Sequence, residues 1–174
     1  MKIELKTLNT INPIELAYHA NDKRISTYLR DSFPFPYTIN NAMTFINYCI
    51  QNECVEFGIC VDDICIGCIG STFFSDVYSH NVEIGYWINP NYWGKGIMNN
   101  VIPTFCQYLF EHYDIHKIYA IVISDNISST KLLEKNHFIK EGYFTDYIYK
   151  NNRYYDAVFY SIVEDNYGDK KSNI

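Results

Sequence analysis

Residues Val82-Glu-Ile-Gly-Tyr-Trp-Ile88 run directly into Asn89-Pro-Asn-Tyr-Trp-Gly-Lys-Gly-Ile-Met98, and this stretch is the most informative of the chain about its architecture. Its first part alternates as a β-strand, and apolar residues at helical spacing follow it: Met98, Ile102, Phe105 and Leu109. Between strand and helix, Gly94 and Gly96 permit a tight turn and let a ligand approach the backbone closely. The helix offers unpaired N–H groups and the positive end of its dipole, and Lys95 adds a charge. The sequence therefore predicts a phosphate-binding turn.

Two better-known nucleotide-binding loops do not fit this turn. A Walker A loop has the pattern GxxxxGK[ST], whereas here Lys95 precedes the second glycine and no Ser or Thr directly follows it. A dinucleotide fingerprint needs a third glycine and an earlier place in a βαβ unit. A plain glycine turn before a helix, without any ligand, stays open as the structural alternative.

Strand and helix patterns extend over most of the remaining chain. Alternation and β-branched or aromatic residues predict strands at residues 2–8, 55–61, 64–74, 81–88, 116–123, 138–149 and 153–163. Capping signals and helical spacing predict helices at 13–20, 22–29, from 39 onward, from 98 onward and at 126–135. Because strands alternate with helices only in the second half, the order predicts an α/β (α+β) protein with a mixed sheet. We expect one domain over residues 1–164 and a polar tail over 165–174.

Length and composition exclude several classes of protein. The chain has 174 residues, a net charge of −6 and 48% hydrophobic residues, which suits a folded domain and excludes a mostly disordered protein. The acidic balance argues against general nucleic-acid binding but tolerates a cationic partner such as an amine. The sequence contains no apolar run of about 18 residues, the length that a membrane span needs. Residues 1–10 lack the apolar core of a signal peptide. We therefore expect a cytoplasmic protein without a nucleic-acid or membrane partner.

The cysteines do not suggest a disulfide framework. Without a signal peptide, and in a chain long enough to form its own core, the six cysteines are best interpreted as reduced, buried thiols. Cys65 and Cys68 form a CxxC pair, but a three-residue offset on a strand predicts thiols on opposite faces, which disfavours a zinc or redox role. The five histidines have no metal-ligand spacing, so we expect no metal.

Three segments carry a resemblance to a known family. They are residues 82–98, the segment Asp31-Ser-Phe-Pro-Phe-Pro-Tyr37, and the segment Asp125-Asn-Ile-Ser-Ser-Thr-Lys-Leu-Leu-Glu-Lys-Asn-His-Phe138. Together they resemble the GNAT superfamily of acyl-CoA N-acyltransferases, and most closely its RimJ/RimL-like branch of ribosomal-protein acetyltransferases. The resemblance covers about residues 2–163 in the right order. It implies a single-domain fold with a mixed, mostly antiparallel central sheet of about seven strands, flanked by helices and splayed at the cofactor site.

The resemblance implies acetyl-CoA as cosubstrate and direct transfer of its acetyl group to a primary amine, on a protein N-terminus or a small molecule. In this family a Q/R-x-x-G-x-G/A turn binds the pyrophosphate at a helix N-terminus. Carried over to this chain, the cofactor-binding residues are Tyr86, Trp87, Ile88, Trp93, Gly94, Lys95, Gly96, Ile97, Met98, Asn126 and Lys131. Asn91 stands where the family usually has Gln or Arg, and His137 stands where it usually has Gly.

Two residues are the candidates for catalysis. Glu83 lies on a strand between the apolar Val82 and Ile84, where a carboxylate can be desolvated enough to act as a general base. The alternative is a partly exposed strand residue paired with a cation. The resemblance implies that Ser129 hydrogen-bonds the sulfur and protonates the leaving thiolate, with a role at the helix start as the alternative. Leu133 occupies the position of the family's usual catalytic Tyr and cannot act as an acid.

The acceptor side and the partners are less defined. Phe35 and Tyr37 are the candidate acceptor-binding residues, although aromatic clusters more often belong to a core. We expect a monomer or a homodimer. Besides the N-acetyltransferase, two interpretations stay open: a catalytically silent acyl-CoA-binding sensor on the same fold, and a Tyr-rich interaction protein without a small ligand.

Overall fold

The structure is a computed structural model that describes residues 1–168. Its strands are β1 (Ile3–Thr7), β2 (Glu56–Val61), β3 (Ile64–Phe73), β4 (Asn81–Ile88), β5 (Lys117–Ile123), β6 (Ile139–Lys150) and β7 (Arg153–Val163). Its helices are α1 (Pro13–Ala20), α2 (Lys23–Ser26), α3 (Ile39–Gln51), α4 (Met98–His112), α5 (Ile127–Lys135) and α6 (Glu164–Gly168). Within residues 1–168, no helix has the length and apolar character needed to cross a membrane.

The strands of the described residues form one seven-stranded sheet in the order β1-β2-β3-β4-β5-β7-β6. The pairs β1–β2, β2–β3, β5–β7 and β6–β7 are antiparallel, whereas β4 and β5 are parallel. The parallel pairing joins Asn81, Val82 and Glu83 of β4 to residues 117–119 of β5. The predicted α/β (α+β) class, with a mixed and mostly antiparallel sheet of about seven strands, is confirmed.

The local signals that begin the helices act as the sequence predicts. At α1, the Asn12 side chain accepts a hydrogen bond from the N–H of Ile14 at 2.9 Å. At α3, Thr38 and Asn41 form a reciprocal capping box. The helix predicted at residues 22–29 is shorter than expected, because α2 spans only four residues.

The chain consists of two compact units, which are described separately, and the first contains Met1–Ser71 and Gly85–Val101. Its core is formed by buried residues of α1, α3, β2 and β3, among them Leu16, Ile46 and Cys68. Apolar side chains at helical spacing on α1 and α3 supply one side of this core. Burial of these side chains is the main source of the unit's stability.

The second unit contains Thr72–Ile84 and the described residues from Ile102 onward. Its fully buried side chains include Phe105 of α4, Ile118 of β5 and Leu133 of α5. One domain over residues 1–164 stays a prediction, since two packing units can belong to one domain.

The paired cysteines of β3 do not point to opposite faces, so that prediction is wrong. The register of β3 against β2 shifts by one residue at Ile66, which forms a β-bulge, and Cys65 pairs with Cys60. The extra residue brings Cys65 and Cys68 to the same face, where both are buried with Cys60. All three are free thiols, as expected, but Cys54 is exposed rather than buried.

Residues 165–168, which the sequence assigns to a polar tail, form part of α6. Tyr167 gives the physical reason for the difference. Its hydroxyl donates a hydrogen bond to the carbonyl oxygen of Pro103 at 2.7 Å, and its ring packs against Phe110 at a centroid distance of 5.3 Å. These two contacts with α4 hold the segment. The rest of the predicted tail, residues 169–174, lies outside the described residues.

Candidate functional site

The turn between β4 and α4 has the backbone geometry that its two glycines predict. Gly94 and Gly96 have φ angles of 71° and 76°, a left-handed conformation that glycine adopts without strain. The N–H groups of Gly96, Ile97 and Met98 donate to no acceptor within the first unit, all of whose residues the structure describes. Three successive N–H groups without a partner there, at the N-terminus of a helix, suit an anion such as phosphate.

The side chains around the glycines separate into a buried and an exposed set. Ile97 and Met98 are buried, so only their backbone can meet a ligand. Trp93 is 44% exposed, and its indole N–H donates to the carbonyl oxygen of Ile88 at 3.0 Å. The turn therefore presents backbone N–H groups and one indole face.

Asn89, which the sequence analysis misses, holds the turn against α1. Its side-chain oxygen accepts a hydrogen bond from the N–H of Asn91 at 2.9 Å, and its side-chain N–H donates to the carbonyl oxygen of His19 at 3.0 Å. The ring of His19 meets that of Tyr92 edge-on at 5.9 Å, and burial lowers the pKa of His19. A signal exists in the sequence, because Asn before Pro90 at the end of a strand is a capping pattern.

Two cations lie beside this turn in the first unit. Lys95, which the sequence predicts for phosphate binding, is exposed, and its ammonium is 5.0 Å from the centre of the Tyr92 ring. The guanidinium of Arg24 lies 5.8 Å from the centre of the Trp93 ring and pairs with Asp22 at 2.6 Å. Arg24 is a second residue that the sequence analysis misses, because only the packing of the first unit brings α2 to the turn.

The backbone of β4 directs its N–H groups alternately to its two edges. The N–H of Asn89 donates to the carbonyl oxygen of Ile66 at 2.8 Å, which identifies the edge that faces β3. Alternation directs the N–H of Trp87 to β3 as well, and the N–H groups of Tyr86 and Ile88 to the opposite edge. The N–H groups of Tyr86 and Ile88 are therefore the candidate donors to a ligand. The N–H of Trp87 is directed to β3, so only the side chain of Trp87 can meet a ligand.

In the second unit, Glu83 lies beside Tyr119 of β5, at the last residue pair of the parallel ladder. Both residues are half-buried. The Tyr119 ring stacks on Phe159 of β7 at 4.7 Å and on Phe74 at 6.0 Å. Because parallel partners point to the same side of a sheet, the Glu83 carboxylate shares its side with this aromatic row.

The first turn of α5 carries the other candidates of the second unit. Asn126 caps the helix, because its side-chain oxygen accepts a hydrogen bond from the N–H of Ser129 at 3.2 Å. Ser129 is half-buried, Lys131 is exposed, and Leu133 is completely buried. Asn126 therefore has the capping role that the sequence offers as one of two interpretations, and Leu133 belongs to the core.

The chain has a glycine turn at a helix N-terminus, after a strand of a mixed sheet. A family with known members matches its sequence. The sequence profile of the acetyltransferase (GNAT) domain matches residues 5–139. The chain belongs to the GNAT acetyltransferase family. It is an acetyl-CoA-dependent N-acetyltransferase, as the resemblance implies.

Named relatives of this GNAT protein cover different shares of it. The uncharacterized N-acetyltransferase YnaD of Bacillus subtilis (strain 168) is 28% identical over 149 residues, which are 84% of this chain and 85% of the relative. The [ribosomal protein uS5]-alanine N-acetyltransferase of Escherichia coli (strain K12) is 33% identical over 93 residues, which are 52% of this chain and 48% of that relative. This second match supports the RimJ/RimL-like resemblance.

A solved structure shares the GNAT fold over nearly the whole chain. It is the microcin C7 self immunity acetyltransferase MccE, in complex with acetyl-CoA and AMP. The TM-score is 0.78 and the sequence identity 26%, with 93% of this chain and 92% of that chain covered. This similarity agrees with the strand order and helix positions described above.

The two residues predicted to bind the acceptor of this GNAT protein differ in exposure. Phe35 is 50% exposed, whereas Tyr37 is 6% exposed and packs against Phe33 at 4.8 Å. Burial raises the pKa of the Tyr37 hydroxyl. Tyr37 therefore belongs to the core of the first unit, and Phe35 offers an exposed ring.

Glu56 of β2 is a further acidic residue of the GNAT fold that the sequence analysis does not select. Burial raises the pKa of its carboxyl to about 8. Its alternate neighbours along the strand, Gly58 and Cys60, are buried. An acidic residue at the start of an apolar stripe is the signal that could have identified it.

Proposed function

We propose that this GNAT protein transfers the acetyl group of acetyl-CoA directly to a primary amine, either the N-terminus of a protein or a small molecule. The observation that carries the proposal is the row of three N–H groups of Gly96, Ile97 and Met98 at the start of α4. The left-handed backbone of Gly94 and Gly96 forms the turn that leads into this row. Such a row suits the pyrophosphate of acetyl-CoA, the molecule named in the MccE complex. The uS5 relative is named for an alanine of a ribosomal protein, which supports an amine acceptor.

In this proposal the phosphates of acetyl-CoA bind the backbone of the turn. Lys95 and Arg24 supply positive charge beside the turn. Hydrogen bonds from such cations to a phosphate are stronger than hydrogen bonds between neutral groups. The N–H group of Tyr86 binds a pantetheine amide in the manner of an added strand. The family resemblance adds Asn126 and Lys131 to the proposed contacts.

The chemistry of acetyl transfer needs a proton acceptor, an oxyanion donor and a proton donor. Glu83 takes a proton from the amine, and the nitrogen attacks the thioester carbonyl carbon. The N–H of Ile88 donates to the oxyanion that forms. Collapse of this tetrahedral intermediate breaks the C–S bond, and Ser129 donates a proton to the CoA thiolate. The acetylated nitrogen releases its surplus proton to water, and water restores the proton of the Ser129 hydroxyl.

The test is an acetylation assay with acetyl-CoA and a panel of amines: a peptide that begins with Ala, spermidine and an aminoglycoside. Acetylated product is measured by mass spectrometry. We expect turnover of at least one amine, and Glu83→Gln is expected to lower kcat/KM by about 10²–10³-fold because the general base is lost. Glu53→Gln, at an exposed position, removes the same charge and is expected to keep the activity of the wild type.

Two results would contradict the proposal. Binding of CoA without turnover of any amine would favour the silent sensor. Failure of CoA to raise the thermal stability, at concentrations well above micromolar, would contradict the cosubstrate site itself.

A further inference from the structure

One carboxylate of the first unit has no part in the proposed chemistry. Glu56 begins β2, and its strand partner is Gly70 of β3. A Cβ atom on Gly70 would collide with the Glu56 carboxylate. The carboxylate therefore occupies the space that the missing side chain of Gly70 leaves, and it lies over β3.

The surroundings of this carboxylate are apolar or weakly polar. Tyr37, Cys49 and Cys68 are the titratable side chains that face it. Within the first unit, all of whose residues the structure describes, no cation pairs with Glu56 and no donor hydrogen-bonds to its carboxylate. Its pKa is raised to about 8 by burial alone. The Glu56 side chain is half-buried, so its carboxylate is accessible to a cationic ligand, while the residues around it supply no cation of their own.

Glu56 lies in a row of residues that leads to β4. The hydrogen bond from the N–H of Asn89 to the oxygen of Ile66 defines the antiparallel register of β3 and β4. Counting back from this bond along both strands brings Gly85 beside Gly70. Glu56, Gly70 and Gly85 therefore lie side by side on one face of three neighbouring strands. A Cβ atom on Gly85 would have no atom within 4 Å, so the space above it is open.

Aromatic rings border the same face. Trp87 follows Gly85 by two residues, so its side chain points to the same side of the sheet. The Trp87 ring packs against Phe33 at 5.5 Å, and Phe33 packs against Tyr37 at 4.8 Å. Neighbouring strands are about 4.8 Å apart, so the Glu56 carboxylate over β3 is one strand away from the open space. A carboxylate beside aromatic rings is the chemistry that recognises an alkylammonium group.

We infer that Glu56 is an acceptor-binding residue, and that it receives the ammonium group of a primary alkylamine in the space over Gly85. The inference rests on the proposed function, because it names the group that recognises the acceptor. On binding, the Glu56 carboxyl loses its proton to water and pairs as a carboxylate with the ammonium ion. No covalent bond of the acceptor changes in this step. Trp87 and Phe33 contact the alkyl chain next to the nitrogen.

The test is calorimetric titration of the CoA-saturated protein with two probes, n-hexylamine and spermidine. The wild type and the matched control Glu53→Gln are expected to bind an amine, and Glu56→Gln is expected to bind it at least about tenfold more weakly. Repeating the titration in buffers of different ionisation enthalpy is expected to reveal proton release for the wild type and none for Glu56→Gln. CoA affinity, measured on all three proteins, is expected to be equal and shows that each is folded.

Equal amine affinity of Glu56→Gln and Glu53→Gln would overturn the inference, and so would a wild-type CoA complex that binds neither probe. The acetylation assay tests the proposed function separately from this inference. Amine binding that depends on Glu56, without acetylation of any amine, would refute acetyl transfer and leave the inference standing. Acetylation that is unaffected by Glu56→Gln would refute the inference and leave the proposed acetyl transfer standing.

Discussion

The side-chain amide of Asn89 donates a hydrogen bond to the carbonyl oxygen of His19 at 3.0 Å, and so ties the end of β4 to the end of α1. Asn89 is 7% exposed, and its side-chain oxygen holds the N–H of Asn91. The residues of the following turn depend on these two bonds for their position. One asparagine thereby connects the packing of the first unit to the backbone donors of the candidate cosubstrate site.

Asn89→Ala is expected to lower the free energy of unfolding by about 2–3 kcal/mol, because two backbone groups lose a buried partner. CoA affinity is expected to fall about tenfold, because the N–H groups that follow the turn lose their fixed position. Denaturant unfolding and calorimetric titration measure the two effects. Asn91→Ala removes an exposed side chain and is expected to change the free energy of unfolding by less than about 0.5 kcal/mol. Equal stability of the two variants would show that Asn89 is not an anchor.

Gly96→Ala tests the glycine turn. The nearest atom to an added Cβ is the side-chain nitrogen of Asn99 at 4.0 Å, so space is available and only the left-handed backbone opposes the change. The expected cost is about 1–2 kcal/mol of folding free energy, together with weaker CoA binding.

The matched control for Gly96→Ala is Asn152→Ala, since Asn152 in the β6–β7 turn has a similar φ of 59°. This control is expected to lose stability in the same way and to keep its CoA affinity. A comparable loss of CoA affinity in both variants would mean that general instability, and not the turn, explains the result. Thermal unfolding with and without CoA separates the two effects.

Asn126 has two possible roles, which different substitutions separate. Asn126→Ala is expected to cost about 1 kcal/mol of folding free energy, because the cap on the N–H of Ser129 is lost. Asn126→Asp keeps a capping oxygen and is expected to restore most of that stability. If Asn126 also binds pantetheine through its amide, CoA affinity stays low in Asn126→Asp. Full recovery of CoA affinity together with stability would leave capping as its role.

Glu56 is expected to make stability depend on pH. Its pKa is raised from 4.5 to about 8, so the folded chain holds this proton more tightly than the unfolded chain. The stabilisation is fully present below about pH 4.5 and is lost as the pH rises to about 8. Tyr37 and Cys49, whose pKa values burial raises, stay protonated over this range, as does Cys68.

Urea unfolding of the wild type and Glu56→Gln at about pH 5 and about pH 9 measures this effect. Relative to Glu56→Gln, the wild type is expected to lose about 3–5 kcal/mol between these two values. All other titrating groups are common to both proteins, so the difference isolates Glu56. Parallel pH profiles would mean that the carboxyl is solvated in the folded state.

Much of the fold could be predicted because its signals are local. Asn12 and Thr38 cap helices through atoms two and three residues away, and Gly94 and Gly96 adopt positive φ angles for reasons internal to glycine. Such interactions are complete within a few residues of sequence. The bulge at Ile66 is different, because it appears only in the pairing of β3 with β2.

The candidate site divides in the same way. The turn, Glu83 and Ser129 lie in segments whose order along the chain carries the family resemblance. Arg24 and Glu56 cannot be identified from local signals, because their roles depend on strands and helices that are distant in sequence.

The order of the strands and of helices α1 to α5, the glycine turn and the membership of the GNAT family could all be inferred from the sequence, since each follows from short-range geometry or from motifs in a particular order. The packed structure was needed to show that Asn89 anchors the turn, that Cys65 and Cys68 share a face, and that the Glu56 carboxylate lies over Gly70. These features escape the sequence because register and burial are properties of paired and packed elements. A single strand or helix does not contain the information on what will cover it.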